Sequence, residues 1–437
     1  MAPAESLAPV ADRDQSCAWG RHRQPGRSGA PGLRGRFHRR TLARLPLAGI
    51  QPGRQRDRDR RGATVDRGVP AAARSGTAQA VIRADLVVVG AGPVGLSTAF
   101  ALAESGLSCL VVPALPADRE PMVPAGVEMT APAVAWRQGH LLNRLQERSR
   151  RLWVDWMVRL AQETGVDLGY SRAGLLVIGD AADSAPDENL AGWETVMPAR
   201  CEPRLSCSEI HGLFNVQFSQ VRHDRLIHSL RLALRSRAIE VLDEHYATAL
   251  EVTGNVVPNL VLDGGEQVVA DAFILAAEAE NAALLYESGL DGLDLPIPQA
   301  HHLLFNPGSR LLSHVVCSDD LVLVPQPDGR LLAIDTGPED RYGSEDEALD
   351  VLLTCVANRL PALSRFDLQR HWLAPLPGPS GGRPMLGLYP HLRNLWINAG
   401  HYRNGLDISP AMAELLAEHL QGGPGFPELA VGLRDPD

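Results

Sequence analysis

The chain has 437 residues, of which 45% are hydrophobic, so it can bury a large core within one or two domains. Its charge is uneven: residues 1–80 hold 16 arginines against 6 acidic residues, and the remainder holds 26 arginines against 46. The acidic body argues against nucleic acid as a partner, and six scattered cysteines without CxxC pairs argue against a disulfide-rich secreted protein. With neither a membrane span nor a secretory signal evident, we expect a cytoplasmic location.

Residues 1–80 are rich in arginine, glycine and proline, with runs such as RQRDRDRRG at 54–62. This composition cannot bury enough apolar surface to fold, so it predicts a disordered extension. A basic tail for nucleic acid, a transit peptide and an over-extended reading frame are the alternatives.

The stretch ADLVVVGAGPVGLSTAFALAESGLSCLVV, residues 84–112, carries the strongest local signal. It predicts a strand, a GxGxxG turn, a helix and a second strand, the order that lays a dinucleotide pyrophosphate on a helix N-terminus. Gly90 permits the sharp turn, Gly92 lets phosphates approach bare backbone, and Gly95 lets the helix pack closely on the strand. The alternative is that the glycines serve helix–strand packing alone.

Further along, an apolar stripe predicts a long helix over 140–165, and its aromatic residues are interpreted as core. GLLVIGD at 174–180 predicts a strand, and Asp224 is a plausible N-cap of the next helix. Short strands are expected over 239–274, with a hairpin turn at 263–265.

The segments HHLLF, SHVVC, LVLVPQ and LLAID then alternate, with a hairpin signal at 328–329, and predict an antiparallel sheet. A helix over 344–360 follows. The chain continues with a strand at 395–399, the loop GHYRNG at 400–405, and a helix beginning near Ser409-Pro410. The loop between that strand and that helix is a second candidate anion-binding turn.

The fold class predicted is α/β: a doubly wound, Rossmann-like dinucleotide-binding domain with a second, mainly antiparallel-sheet domain. The expected boundaries are 1–80 for the extension, 81–170, 216–298 and 376–425 for the first domain, 171–215 and 299–375 for the second, and 426–437 for a tail.

The segment NLWINAGHYRNGLDISPAMAELLAEHL, 394–420, resembles the FAD-dependent D-amino-acid-oxidase superfamily, within it the glycine oxidases that feed thiazole synthesis for thiamine. The resemblance extends to 163–178, to 221–234 and to the first βαβ unit, covering about 82–420. It implies an FAD-dependent oxidoreductase that oxidises the Cα–N bond of a small amine or amino acid by hydride transfer to the flavin. A homo-oligomer is one further expectation.

The resemblance also implies site residues. Arg403 would pair with a substrate carboxylate, since a guanidinium fork donates two hydrogen bonds; a structural ion pair is the alternative role for Arg403. The implied cofactor-binding residues are Gly90, Gly92, Pro93, Val94 and Gly95 for the pyrophosphate, Val221 for the adenine through its backbone, and Gly400, His401, Tyr402, Arg403, Asn404, Gly405, Leu406 and Asp407 for the flavin.

The chain departs from the family pattern on the cofactor side. Pro113 stands where an acid normally binds the adenosine ribose, and Asp118 is a candidate substitute. In the segment that passes the flavin, Val127 and Glu128 follow the retained small residues. Glu278, in AAEAEN, stands where AAGAW is usual, and a carboxylate there would be repelled by a phosphate.

On the substrate side, the arginine of W-x-G-L-R-P aligns with Leu376, and Arg383 lies seven residues later, where a solvent-facing role is expected. These departures motivate one alternative, a non-catalytic homologue acting as a scaffold or partner subunit. A nicotinamide-linked dehydrogenase is a second alternative. No metal site is predicted, because the nearest histidine pairs, 301 with 302 and 223 with 228, suit surface or core roles better.

Overall fold

A computed structural model describes residues 81–114, 140–185, 192–293, 299–335, 341–375, 383–401, 404–426 and 429. The helices and strands follow in this order: β1 (Val81–Val89), α1 (Pro93–Glu104), β2 (Cys109–Val112), α2 (His140–Thr164), β3 (Leu175–Val177), α3 (Asp180–Asp183), β4 (Glu194–Val196), α4 (Pro198–Cys201), β5 (Gly212–Asn215), α5 (His223–Ser236), β6 (Glu240–Val241), β7 (Ala247–Thr253), β8 (Val256–Leu262), β9 (Gln267–Leu275), α6 (Glu280–Glu287), β10 (Gln299–Phe305), β11 (Val315–Cys317), β12 (Leu321–Pro325), β13 (Leu331–Asp335), α7 (Glu345–Arg359), β14 (Leu368–Pro375), β15 (Met385–Leu388), β16 (Leu395–Ala399) and α8 (Gly405–Leu420).

The first sheet, sheet A, has the strand order β15-β16-β9-β1-β2-β6, with the hairpin β7-β8 joined to β9. Its central strands β16, β9, β1, β2 and β6 are parallel, so their carboxyl ends meet at one edge. Such strands are covered on both faces, which explains the apolar run at the end of β1, residues 86–89. Helices α1, α2, α5 and α8 pack on one face, and the β7-β8 hairpin with α6 packs on the other.

The second sheet, sheet B, has the strand order β14-β10-β13-β12-β11-β3-β5-β4 and is antiparallel except where β11 pairs with β3. Helix α7 covers one face with an aliphatic cluster. The opposite face carries a second apolar cluster, which includes Phe218 from the segment that leads back to sheet A. The two sheets with their covering helices confirm the predicted fold class.

Most predicted elements are present at or near their expected positions, including α2, the hairpin turns at 263–265 and 328–329, and α7. None of the helices in the described ranges has the length and apolar character needed to cross a bilayer. The residues predicted to form a disordered extension lie outside the described part of the chain.

Two helix starts were predicted wrongly. Asp224 is not an N-cap: the N-cap of α5 is Arg222, two residues earlier, and the Arg222 amide donates to the carbonyl of Leu168 at 3.0 Å. The Asp224 carboxylate accepts two hydrogen bonds from the Arg222 guanidinium instead.

Helix α8 begins at Gly405 rather than near Ser409-Pro410. A proline within a helix lacks the N–H that should reach the carbonyl four residues back, here that of Leu406. The Ser409 hydroxyl donates to that carbonyl at 3.1 Å, so the helix continues through the proline.

Candidate active site

The glycine turn between β1 and α1 is built by backbone contacts. Gly90 has φ +126°, and a Cβ there would lie 2.7 Å from the carbonyl carbon of Ala276 at the end of β9. A Cβ on Gly95 would lie 2.7 Å from the carbonyl carbon of Gly90. Both positions therefore exclude every side chain, because the opposing atoms are backbone.

Gly92 differs from its two neighbours. A Cβ built there meets nothing within 4 Å, so its backbone borders open space. Gly92 is also the N-cap of α1, and no side chain caps this helix; Pro93 follows as its first residue and Val94 is buried. An uncapped helix N-terminus with open space in front of it suits an anion such as a diphosphate.

The next parallel strands end beside this turn. After β9 comes Glu278, a non-glycine residue with φ +51°. After β16 comes Gly400, with φ +76°, and then His401. The Glu278 carboxylate contacts Nδ1 of His401, whose side chain is completely buried. The Glu278 carboxylate, expected to repel a phosphate, thus has a hydrogen-bonding partner from the neighbouring strand.

Helix α8 begins at the same edge of sheet A. Its N-cap is Asn404, without a side-chain capping bond, and its first turn contains Gly405, Leu406 and Asp407. The backbone carbonyl of Asp407 accepts from Trp153 Nε1 at 3.0 Å and from the Ser149 hydroxyl, both on α2.

The Asp407 side chain is buried, and burial raises its pKa to about 8, an effect that the nearby Gln146 amide offsets only in part. The Gln146 amide nitrogen donates to Asn404 Oδ1 at 3.2 Å. A carboxyl group in this environment is held largely in its neutral form at pH 7.

Several buried polar atoms at this edge have no hydrogen-bond partner within the described ranges. They are His401 Nε2, Asn398 Oδ1, Gln146 Oε1 and both carboxyl oxygens of Asp407. Buried polar atoms are nearly always satisfied in folded proteins. Such a concentration therefore points to a ligand that brings hydrogen-bond donors.

The remaining predicted residues divide into two groups. Val221 is buried, and its neighbours Gln220 and Arg222, not Val221 itself, make the backbone bonds to residues 168–171. Tyr402 and Arg403 lie outside the described residues, so their roles stay predictions.

The positions that depart from the family pattern also divide. Pro113 is buried, and its carbonyl accepts from the Ala247 amide at 2.8 Å, so this position joins β2 to the β7 hairpin. Arg383 is exposed, as expected. The other departures, at 118, 127–128 and 376, lie outside the described residues.

On the face of sheet B that α7 does not cover, polar and aromatic side chains interrupt the aliphatic cluster. The His302 ring stacks on the Trp372 ring with centroids 5.3 Å apart, and the Arg370 guanidinium lies 5.3 Å from the same Trp372 ring. The register of β10 and β14 pairs His302 with Trp372, which places all three side chains on one face. On the opposite face, His301 Nδ1 lies 2.9 Å from His371 Nε2.

Sequence reasoning missed two polar side chains that the structure brings to the edge of sheet A. Gln146 lies on the buried face of α2, and Asn398 donates to Thr98 on α1 at 3.0 Å. The partnership of Glu278 with His401 was also missed. A polar residue in an otherwise apolar stripe was the available signal for Gln146, and an asparagine within the strand LWINA was the signal for Asn398.

Comparison with known proteins decides the family. A model of the family described as FAD dependent oxidoreductase matches residues 85–419. A glycine oxidase of Pseudomonas aeruginosa is 30% identical over 348 residues, which cover 77% of this chain and 94% of that protein. The chain belongs to the FAD-dependent oxidoreductase family. Its cofactor is FAD, and the comparisons favour neither the non-catalytic alternative nor a nicotinamide-linked enzyme.

Solved structures agree on the fold of this oxidoreductase. A glycine oxidase from Geobacillus kaustophilus has a TM-score of 0.67 at 23% identity, over 79% of this chain and 96% of that one. An L-proline dehydrogenase from P. horikoshii has a TM-score of 0.66 at 17% identity, over 79% and 96% of the two chains.

The residues at the edge of sheet A fit FAD. The open backbone at Gly92 and the uncapped N-terminus of α1 suit its diphosphate. The unpartnered polar atoms of His401 and Asp407 suit its ribityl hydroxyls, which donate and accept hydrogen bonds, and its ring N–H, which donates. When bound there, FAD supplies the capacity to accept two electrons as a hydride.

Proposed function

We propose that this oxidoreductase oxidises the Cα–N bond of a small amino acid, by hydride transfer from Cα to the flavin. The observation that carries the proposal is the cluster of unpartnered buried polar atoms where β16 runs into α8, beside a turn that only glycine can form. The names of the relatives, glycine oxidase and L-proline dehydrogenase, support an amino-acid substrate.

In this proposal the backbone does most of the cofactor binding. The β1–α1 turn holds the diphosphate, because its amides are uncapped and no Cβ separates them from the ligand. The Val221 backbone meets the adenine. The flavin is bordered by the segment 400–407, in which His401 and Asp407 present acceptors.

The substrate side is proposed to lie between the flavin and the face of sheet B that α7 leaves uncovered. Arg403 pairs with the substrate carboxylate by two hydrogen bonds, which fixes the position of Cα. The stacked rings of His302 and Trp372 supply an aromatic wall that excludes water from the reacting bond. Position 376 is leucine, so the second arginine of the family pattern is absent there. We propose that Arg403 alone balances the negative charge of the substrate carboxylate.

Several broader expectations stay proposals: the domain boundaries given above, a cytoplasmic location, a homo-oligomeric state, and a role in supplying thiazole synthesis. The relatives named Bifunctional protein ThiO/ThiG, such as that of Synechocystis at 26% identity, support the last.

The test is anaerobic reduction of the flavin in the purified full-length chain. Glycine, sarcosine, D-alanine, L-proline and iminodiacetate are mixed separately with the protein, and the visible flavin absorbance is followed. At least one should bleach the flavin. N-acetylglycine, which lacks a basic amine, and ethylamine, which lacks a carboxylate, are the matched controls and should leave it oxidised. Bleaching by ethylamine as fast as by the amino acids would contradict the carboxylate pairing, and a flavin that none of the amino acids reduces would contradict the proposed substrate class.

A further inference from the structure

Glu278 and His401 meet because two neighbouring strands of sheet A end side by side. Strand β9 ends at Leu275 and β16 ends at Ala399, and the two strands are parallel. The residues that follow them therefore share the carboxyl edge, where open α/β sheets bind their ligands. The pair lies between the glycine turn that joins β1 to α1 and the first turn of α8.

The Glu278 backbone is in an unfavourable conformation for a residue with a side chain. Its φ of +51° lies in the left-handed region, where a Cβ costs about 1–2 kcal/mol relative to glycine. The family pattern has glycine at this place. The conformational cost of a glutamate at this position is offset by a contact of its side chain with His401 Nδ1.

His401 has one hydrogen-bonding atom left. A carboxylate beside Nδ1 accepts a hydrogen bond from Nδ1–H, and in the tautomer of the ring that has its hydrogen on Nδ1 the other nitrogen, Nε2, is an acceptor. The His401 side chain is completely buried, and its Nε2 has no hydrogen-bond partner in the described part of the chain. The ring is thus held by the protein at one nitrogen and available to a ligand at the other.

We propose that Glu278 is a positioning residue, which orients His401 so that its Nε2 accepts a hydrogen bond from bound FAD. The inference rests on the proposed function, because it assumes that FAD occupies this edge. From the sequence, the Glu278 carboxylate was expected to weaken FAD binding by repelling the diphosphate. In this proposal the carboxylate strengthens FAD binding, because it orients His401.

The test compares FAD affinity in wild type and Glu278→Gly, by fluorescence titration of the apo form of the full chain. Removal of the carboxylate should raise the Kd by up to about tenfold, the range for losing one hydrogen bond between FAD and the neutral Nε2 of His401. Folding is little at risk, because glycine relieves the positive φ while the buried His401 Nδ1 loses its partner, so the two effects oppose each other and the thermal midpoint of the apo form should change little.

Two further variants separate positioning from a merely structural role. Glu278→Gln keeps an oxygen that accepts the hydrogen bond from Nδ1–H, so it should retain most of the affinity and the visible absorption spectrum of the bound flavin. His401→Asn should weaken FAD binding. The double variant, with Glu278→Gly added, should bind FAD no more weakly than His401→Asn alone. His391→Gly is the matched control, since His391 has φ +67° at the opposite end of β16 and should leave the Kd unchanged.

The outcomes distinguish this inference from the proposed function. If the Glu278→Gly variant binds FAD as tightly as wild type, or more tightly, the inference is overturned. The proposed function still stands in that case, provided that the wild-type protein binds FAD. Additive effects of the Glu278 and His401 changes would also overturn it. Wild-type protein without FAD affinity would overturn both.

Discussion

The carboxyl edge of sheet A contains two regions that meet a ligand by different means. The turn between β1 and α1 offers backbone alone, and its shape follows from glycines within six residues of one another, Gly90 to Gly95. The region between β9, β16 and α8 offers buried side chains, and its central pair joins residues 123 positions apart in the chain.

This difference explains which region could be predicted. A local turn is specified by sterics that a short segment carries with it, so GxGxxG between a strand and a helix is informative. A side-chain pair between two strand ends depends on the strand order of the whole sheet. Glu278 alone therefore predicted repulsion of a phosphate, whereas the structure gives it His401 as a partner.

The largest effect is expected in the first region. Gly95→Ala should destabilise the protein by about 3 kcal/mol or more, because overpacking against backbone cannot be relieved by a rotamer change. The new Cβ would lie 2.7 Å from the Gly90 carbonyl carbon. Thermal unfolding of the apo form measures this loss.

Gly92→Ala is the matched control, since a Cβ there meets nothing within 4 Å. Its apo thermal midpoint should match wild type, while its FAD Kd should rise about tenfold or more as the methyl group displaces the diphosphate from the amides. If both alanine variants lose stability equally, the turn is not shaped by the contacts described.

The second region predicts a pH dependence of the free energy of unfolding. The Asp407 pKa is raised by burial to about 8, so the unfolded chain releases this proton at lower pH than the folded one. The contribution of Asp407 to the free energy of unfolding should therefore be highest below the ordinary carboxyl pKa, fall as pH rises, and level off above pH 8. The slope between those limits should approach about 1.4 kcal/mol per pH unit, the value for one proton bound by the folded chain and not by the unfolded one.

Asp407→Asn should remove this slope, as measured by chemical denaturation of the apo form from pH 4 to pH 8.5. The exposed Asp271 provides the control, and Asp271→Asn should keep the slope. An unchanged slope in the Asp407 variant would place the titrating group elsewhere.

The last pair of variants addresses the substrate side of the second region. Arg403→Ala should raise KM about a hundredfold with a smaller change in kcat, because a bidentate guanidinium–carboxylate pair contributes about 3 kcal/mol. Arg383→Ala should leave KM unchanged, because Arg383 is exposed. Steady-state kinetics with the best amino acid decides between the two, and a larger KM effect at 383 would transfer the carboxylate site there.

The fold followed from the sequence wherever a local pattern was sufficient. Alternation gave the hairpins of sheet B, and the 3.6-residue period gave α2. Local rules failed where a distant partner or a neighbouring side chain intervened. Asp224 was expected to cap α5, but Leu168 holds the Arg222 amide and shifts the helix start. Pro410 was expected near a helix start, but the Ser409 hydroxyl lets α8 run through it.

The site was predictable to the same degree. The resemblance predicted that the segment 400–407 lines the flavin, and its glycines marked the turn into α8. It did not reveal that Gln146, Asn398 and Asp407 leave acceptors unpartnered there, because these residues come from α2, β16 and α8 and meet only in the packed protein.

Every role assigned to the carboxyl edge of sheet A requires FAD to bind there. The most direct measurement is the absorbance spectrum of freshly purified full-length protein, with the released ligand identified after denaturation. The expected result is a yellow protein that releases FAD in a one-to-one ratio with the chain. A colourless protein that takes up no FAD on reconstitution would contradict cofactor binding at this edge.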